Sequence, residues 1–336
     1  MNLKTLAVNF FRLIWQTKMN LVSGSAFIVC GNYLSAIFFN VIQVIYEQKN
    51  ISSDVFNLTI TSFAPSGMII LIGLAFFIEA WIAGWDQSAM VRAFGPSSPT
   101  RRTDWFYTLL YASNISFMLG LLFTLGIGYY IAAEIKALFP FRMLEDSSPV
   151  LGFFALLFSN SLIFYIFHRF IHTSFLWDLH KSHHSAKEMN IITNYRSHPL
   201  ELGLRNVLYT VPAALLGVSP SVVICFMAVT GFIVLMQHSE IDWNLPFVEK
   251  YLLIGAAGHR IHHSKDPKHY KKNLGYLVLW DRLFGTFHYE ENVRVSVGIE
   301  KSEGTIYNSG QIKTELWNIY VQTCQTFFRN CIKRIT

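Results

Sequence analysis

Three short histidine runs carry the chemistry-bearing pattern of this chain: His168-Arg-Phe-Ile-His172, His180-Lys-Ser-His183-His184 and His259-Arg-Ile-His262-His263. All twelve histidines lie between His168 and His288, which leaves the first 167 residues without one. On a helix of about 3.6 residues per turn, positions i, i+3 and i+4 share a face, so each run is expected to aim its imidazoles one way. Neutral imidazole is a nitrogen donor suited to iron, zinc, copper or nickel. Eight such rings exceed the roughly four to six positions around one ion, so two metals are the economical reading.

Other site types do not fit. Arg169 stands where a His-Glu-x-x-His zinc peptidase needs its general base. No Glu-x-x-His pair occurs, which excludes the carboxylate-rich soluble di-iron site. A glycine-rich phosphate loop, a nucleophile elbow and a Cys-x-x-Cys motif are also missing from the sequence.

Residues from about 150 to 290 resemble the fatty acid hydroxylase/sterol desaturase superfamily of membrane histidine-box di-iron enzymes. The spacers match as well as the boxes: HRFIH, LWDLHKSHHS, RSHPLE, QHSEI, HRIHHSKDP and NLGYLVLWDRLFGT. Two departures stand out. Relatives usually have asparagine where this chain has Glu240, and NYG where it has Asn273-Leu274-Gly275. The resemblance implies a di-iron site (zinc is the substitute in a purified form), dioxygen as co-substrate, and a lipid substrate: a fatty acyl chain, sterol, sphingolipid or ether lipid. It implies hydroxylation or desaturation without choosing between them.

By spacing, the candidate ligands are His168, His172, His180, His183, His184, His259, His262 and His263. His238 joins them because it follows an apolar stretch directly and matches the family's isolated extra ligand. His198, before Pro199, is open between a ligand, a partner of a ligand and a helix-start contact; His269 and His288, among charged residues, read as surface. A metal-bound imidazole normally donates its other N–H to a carboxylate or carbonyl. Asp178, Glu201, Glu240, Asn273 and Asp281 are near enough in sequence to accept it, though each is equally able to cap a helix or form an ion pair.

These side chains need a scaffold, and composition says which kind. Of the 336 residues, 52% are hydrophobic and 14% charged, a balance that points to membrane. The net charge of +6 lies largely beside apolar stretches, where it reads as topology rather than nucleic-acid binding. Residues 2–18 read as an amphipathic interfacial helix rather than a cleaved leader. Apolar runs at about 21–46, 64–85, 106–135 and 149–167 approach the roughly 20 residues needed to cross a bilayer. The third is long and glycine-containing, hence tilted or broken. Glu79, inside the second, faces a partner helix, faces a cavity or snorkels.

Lys4, Arg12 and Lys18 before the first run, and Arg92, Arg101 and Arg102 after the second, place both flanks in the cytoplasm. The intervening loop at 47–63 carries two glycosylation-type tripeptides, at Asn50 and Asn57. As a single helix, residues 207–237 would be about 45 Å long and would carry His238 to the opposite face. Gly217 to Pro220 breaks it, giving a hairpin of two short helices that returns and keeps every histidine run on one side. Trp177 and Trp280 read as interface anchors, and the four cysteines as reduced thiols.

The expected architecture is therefore all-α: a multi-pass integral membrane protein with about four transmembrane helices, a membrane-dipping hairpin and a cytosolic histidine-rich cap. Residues 1–148 hold the interfacial helix and three spans, 149–290 a catalytic domain, and 291–336 a tail with an amphipathic helix at 311–334. Arg260, Lys265, Lys268, Lys271, Lys272 and Arg282 would make the cap basic. No haem or flavin module is recognisable, so electrons are expected from a separate donor, such as a b-type cytochrome, ferredoxin or reductase, docking there. The competing readings are a membrane metal transporter or sensor, and a zinc-loaded relative without redox chemistry. The site would face the cytoplasm, in the cytoplasmic membrane of a bacterium or the endoplasmic reticulum of a eukaryote.

Overall fold

Proline opens helix after helix in this chain, because the first helical position has no N–H bond to lose and suits the fixed φ of the ring. The computed structural model describes residues 28–36, 65–95, 98–138, 143–144, 146–243, 245–290, 294–300 and 307–325. Helices α1 (Pro65–Ala83), α3 (Pro99–Ala112), α6 (Pro149–Ile171), α8 (Pro199–Leu216), α9 (Pro220–Gln237) and α10 (Pro246–Tyr251) all begin this way. Ser98 and Ser148 add side-chain caps, accepting from the backbone N–H of Arg101 and Leu151. The remaining helices are α2 (Ala89–Phe94), α4 (Ile115–Phe123), α5 (Ile127–Leu138), α7 (Trp177–His184), α11 (Ala256–His262), α12 (Val278–Leu283) and α13 (Ile312–Cys324). The described residues are all-α, with extended pairing confined to two isolated bridges.

Among the described residues, α6 and α9 are long and apolar enough to cross a membrane. Helices α3 and α4, bent by 75° at their junction, would make a third as one broken span, and the apolar part of α1 is shorter. The third apolar run is thus three helices rather than one. Asn114 (φ 58°) separates the first two, and Leu125 with Gly126 (φ 51° and 64°) separates the last two, all in left-handed backbone. The expected interfacial helix at 2–18, most of the first apolar run and the loop with its tripeptides lie outside the described residues, as does the helix beyond Gln325.

The break expected near Gly217 is present, with Gly217 left-handed at φ 65°. Its two arms, α8 and α9, are 18 residues each, longer than the short helices expected. Each arm is therefore about 27 Å long. Helix α8 packs on α4, α5 and α6, while α9 packs on α6 and α1. Where α4 crosses α8 the backbones nearly touch: a Cβ on Gly203 would lie 2.5 Å from the Gly120 carbonyl oxygen. Small residues permit that approach. The C-terminal ends of α6 and α9 and the N-terminal end of α8 meet at one end of the bundle, bringing His168, His238 and Glu201 together.

A polar network fastens the cap to this end. Arg196 is fully buried and satisfied. Its guanidinium donates to Asp104 (2.5 Å), Ser185 Oγ (3.1 Å), the Thr100 carbonyl (2.7 Å) and Asn308 Oδ1 (3.0 Å). Helix α13, the described part of the expected amphipathic helix, is tied in: Gln322 donates to Ser182 Oγ, and buried Glu315 accepts from Thr103 and Ser309. Glu79 faces partners rather than lipid, accepting from the backbone N–H of Ala89 (2.7 Å) and Glu240 (2.9 Å). Trp280 is no interface anchor. It is buried against Tyr165 and Leu274, with its indole N–H on Ser161 Oγ.

Because Arg196 joins α3, the turn after α7 and the segment before α13 in one buried ion pair, Arg196→Ala should cost about 3–5 kcal/mol by stranding Asp104. Thermal unfolding in detergent would show this as a lower Tm, and Arg196→Lys should recover only part of it because ammonium lacks the planar fork.

Candidate metal centre

Helical periodicity distributes the histidines in a way the shared-face expectation did not anticipate. In α7, His180 and His184 lie four apart and join one group, while His183, rotated from both, joins the other. In α11 the sense is reversed: His259 and His263 enter the second group and His262 the first. His168 and His172, at the end of α6, complete the first group of five; His238, capping α9, completes the second group of four. Within each group the donor atoms lie within 4.8 Å of one another. The groups abut, with the His184 and His263 rings stacked at 4.2 Å. His183, His184, His262 and His263 are buried beneath the cap.

Hydrogen bonds on the outer nitrogens decide which nitrogens face inward. His168 Nδ1 lies 2.6 Å from the Leu274 carbonyl, His238 Nδ1 2.9 Å from that of Val234, and His262 Nδ1 2.9 Å from that of Lys272. His180 Nδ1 lies 3.0 Å from Glu201 Oε1. A carbonyl or carboxylate oxygen only accepts, so these Nδ1 atoms carry the proton and each neutral ring turns its Nε2 lone pair inward. His168 Nε2 and His180 Nε2 then face each other at 3.2 Å with no proton between them. Two nitrogens about 2.1 Å from one cation would have such a separation. The inner nitrogens of His184 and His262, both buried, make no hydrogen bond among the described residues. The donor set fits two transition-metal ions.

Electrostatics reinforce the neutral state. Burial first, then neighbouring imidazoles, hold His183, His184, His259 and His263 well below the ordinary imidazole range, and burial brings His262 down to about 3. Rings in this state offer lone pairs at neutral pH without first losing a proton.

Of the five carboxylate and amide candidates, Glu201 alone reaches an imidazole. Asp281 acts at one remove: its oxygens accept from the backbone N–H of Leu274 (2.8 Å) and Gly275 (2.7 Å), fixing the carbonyl that holds His168. Asn273 donates to the Gly258 and His288 carbonyls, lacing α11 to the following loop. Asp178 pairs with Lys181 at 2.6 Å, and Glu240 with Arg92. His198 is excluded from both groups; it caps α8, accepting from Leu200 N–H, while its other nitrogen meets the Ile319 carbonyl and Thr323. Half-buried Trp177 lies beside His172 and His184, its ring tilted to each at 5.3 Å. His269 is buried rather than on the surface, beside half-buried His288 and Glu290. The carbonyls of Leu274, Val234 and Lys272 were missed because any residue type supplies one.

A cavity open to solvent adjoins both groups. Phe164, Phe167, Ile171 and Val234 give it apolar walls, while His168, His180, His183, His238 and His259 line its metal-facing side.

Comparison with known proteins agrees with this geometry. The fatty acid hydroxylase family model matches residues 153–286, the segment holding every histidine of the two groups. The chain is 34% identical over 161 residues to alkylglycerol monooxygenase of Danio rerio, covering 46% of this chain and 33% of that protein. The human alkylglycerol monooxygenase is 33% identical over 138 residues, or 40% and 30% of the two chains. Ornithine lipid hydroxylase OlsE of Rhizobium tropici is 31% identical over 178 residues, or 48% and 54%. The chain thus spans from under a third to about half of these relatives' lengths. No solved structure matches it. Through residues 153–286, the segment that carries its two histidine groups, the chain is similar to the fatty acid hydroxylase family.

Proposed function

We propose that this protein is a membrane-embedded non-haem di-iron oxygenase that uses dioxygen to oxidise an unactivated C–H bond of a lipid. The observation that carries this reading is the convergence of nine imidazoles in adjoining groups of five and four, five of them lining a cavity with an apolar wall. The relatives' names fit it, since they are an alkylglycerol monooxygenase and an ornithine lipid hydroxylase. Iron held there would supply dioxygen activation and hydrogen abstraction, chemistry no side chain provides. His168, His172, His180, His184 and His262 would hold one ion, and His183, His238, His259 and His263 the other.

The protein's own part is positioning. Glu201 and three backbone carbonyls keep four of the imidazoles, those of His180, His168, His238 and His262, in one tautomer. Phe164, Phe167 and Ile171 present an apolar wall that orients an alkyl chain and excludes water beside the centre. Inserting one oxygen atom into C–H and reducing the other to water takes two electrons and two protons. A separate carrier, acidic to suit the lysines of the cap, is the proposed source. The four-span topology with a dipping hairpin and a cytosolic histidine end belongs to the same proposal. It is supported by the basic flanks and by the meeting of α6, α8 and α9 at one end.

Anaerobic reconstitution with ferrous iron should load two ions per chain, one for each histidine group. His262→Ala and His259→Ala, one from each group, should each lower the iron content. Full retention in both variants would defeat the assignment, and isotopically labelled dioxygen should leave its label in a hydroxylated lipid and in water. Glu201→Gln removes the charge behind His180 and should weaken metal affinity about ten- to a hundredfold, read by competition with a chelator.

Acid should act through the same rings. His262, lowered to about 3 in the fold from an ordinary 6.5, resists a proton that the unfolded chain accepts. Stability is therefore full above pH 6.5 and falls as pH drops from there toward 3. The Tm of the metal-free protein measured across that window should decline steadily.

A further inference from the structure

Arg205 stands in the cavity wall beside the histidine groups and makes no hydrogen bond or ion pair with any described residue. It is the single charged side chain between Glu201 and Gly217 on an otherwise apolar stretch of α8. A guanidinium in such surroundings is expensive unless something answers its charge. The nearest carboxylate along its own helix, Glu201, meets His180 through Oε1, while its buried Oε2 has no hydrogen-bond partner among the described residues. Asp104 is taken by Arg196, and Glu240 by Arg92. No described carboxylate, Glu201 included, forms an ion pair with Arg205.

Apart from Gln237 of α9, whose amide donates to the Ile254 carbonyl, the cavity's remaining polar lining lies on or just before α8. Asn194 and Ser197 precede α8, and Glu201 and Arg205 follow at four-residue spacing, so the last two lie on one helix face about 6 Å apart along its axis. The opposite wall, from Phe164 to Ile171 and at Val234, is apolar apart from its imidazoles. Such a cavity fits a molecule with a small anionic end and an aliphatic remainder. The planar fork of guanidinium matches carboxylate and phosphate, which accept two parallel N–H bonds.

We propose that Arg205 receives the carboxylate or phosphate of the lipid substrate, a reading that rests on the oxygenase function proposed above. The charged group would then sit about one helical turn from Glu201 and the imidazole it holds. That placement makes the oxidised carbon one near the polar head rather than one in the middle of the chain. It also makes anionic lipids, rather than neutral ones, the preferred class.

The test measures binding, which needs neither turnover nor an electron donor. Full-length, metal-loaded protein in neutral detergent is titrated with hexadecyl phosphate, palmitate and uncharged hexadecylglycerol, with inorganic phosphate as competitor. The wild type should bind the two anionic lipids more tightly than the neutral one. Arg205→Gln should weaken the anionic lipids about ten- to a hundredfold while leaving hexadecylglycerol unchanged, and Arg205→Lys should fall between. Tm and metal content, measured on every variant, identify one that has misfolded, and the lysine variant then carries the comparison.

Equal affinity for charged and neutral lipids in the wild type would overturn the proposal. So would equal weakening of both in a folded variant, or competition by inorganic phosphate as strong as that by the alkyl phosphate. Protein that holds two metals and labels its product but shows no charge preference removes the role of Arg205 and leaves the oxygenase standing. Protein that selects anionic lipids but binds no iron removes the oxygenase and with it this reading of the substrate.

Discussion

Nine imidazoles gathered into two adjoining groups, eight of them buried, form the constraint on which the rest of the molecule depends. Protonated rings at this density would repel, and burial makes protonation costlier still. Neutral rings must each have the remaining N–H satisfied, or the polar atom pays a desolvation cost. For four of the nine rings the fold meets that demand, with carbonyls at a helix end and in the loop after α11, supplied by Val234, Lys272 and Leu274, and once with a carboxylate, Glu201. Val234 lies in the last turn of α9, where carbonyls have no helical partner to lose. One unmet helix end thereby becomes the tether for His238.

This explains why the histidines sit where helices stop. Helices α6 and α9 deliver His168, His172 and His238 from their C-terminal ends, and the short helices α7 and α11 lie across that end to bring the rest. A run of His-x-x-His-His serves two groups at once, because the i and i+4 rings stay together while the i+3 ring swings to the neighbour. The two runs use that property in opposite senses, so neither group can form without both helices. Arg196 and α13 then hold α7 in place from behind. The centre is a joint between bundle and cap.

The legible part of the site was the part encoded by side-chain type and spacing. Histidine is scarce enough for its clustering to be read directly, and the glycine-proline break between α8 and α9 follows from backbone sterics alone. Tertiary context decided what stayed hidden. His198, with Pro199 after it, serves equally well as a cap or a ligand, and the packing of α13 makes it a cap. Trp280 and His269 have polar, charged neighbours in sequence, yet the fold buries both. The apolar run at 106–135 is continuous in hydropathy, and left-handed turns at Asn114 and Leu125–Gly126 divide it. Glu201 was one of five equal candidates, and α8 alone aims its carboxylate at an imidazole.

The two departures from the family pattern fall where this architecture tolerates change. Leu274 replaces an aromatic residue, but its contribution to the centre is its carbonyl, held by Asp281 through adjacent backbone N–H groups. Gly275 leaves the room that approach needs, since a Cβ there would lie 2.9 Å from Asp281 Oδ2. The Leu274 side chain instead packs on Tyr165 and Trp280 and lines the cavity. Glu240 likewise meets Arg92 and leaves its backbone N–H to Glu79, away from both histidine groups. Metal support and cavity shape are therefore carried by different atoms of the same loop. A different side chain at Leu274 would reshape the cavity while the carbonyl that holds His168 stayed in place.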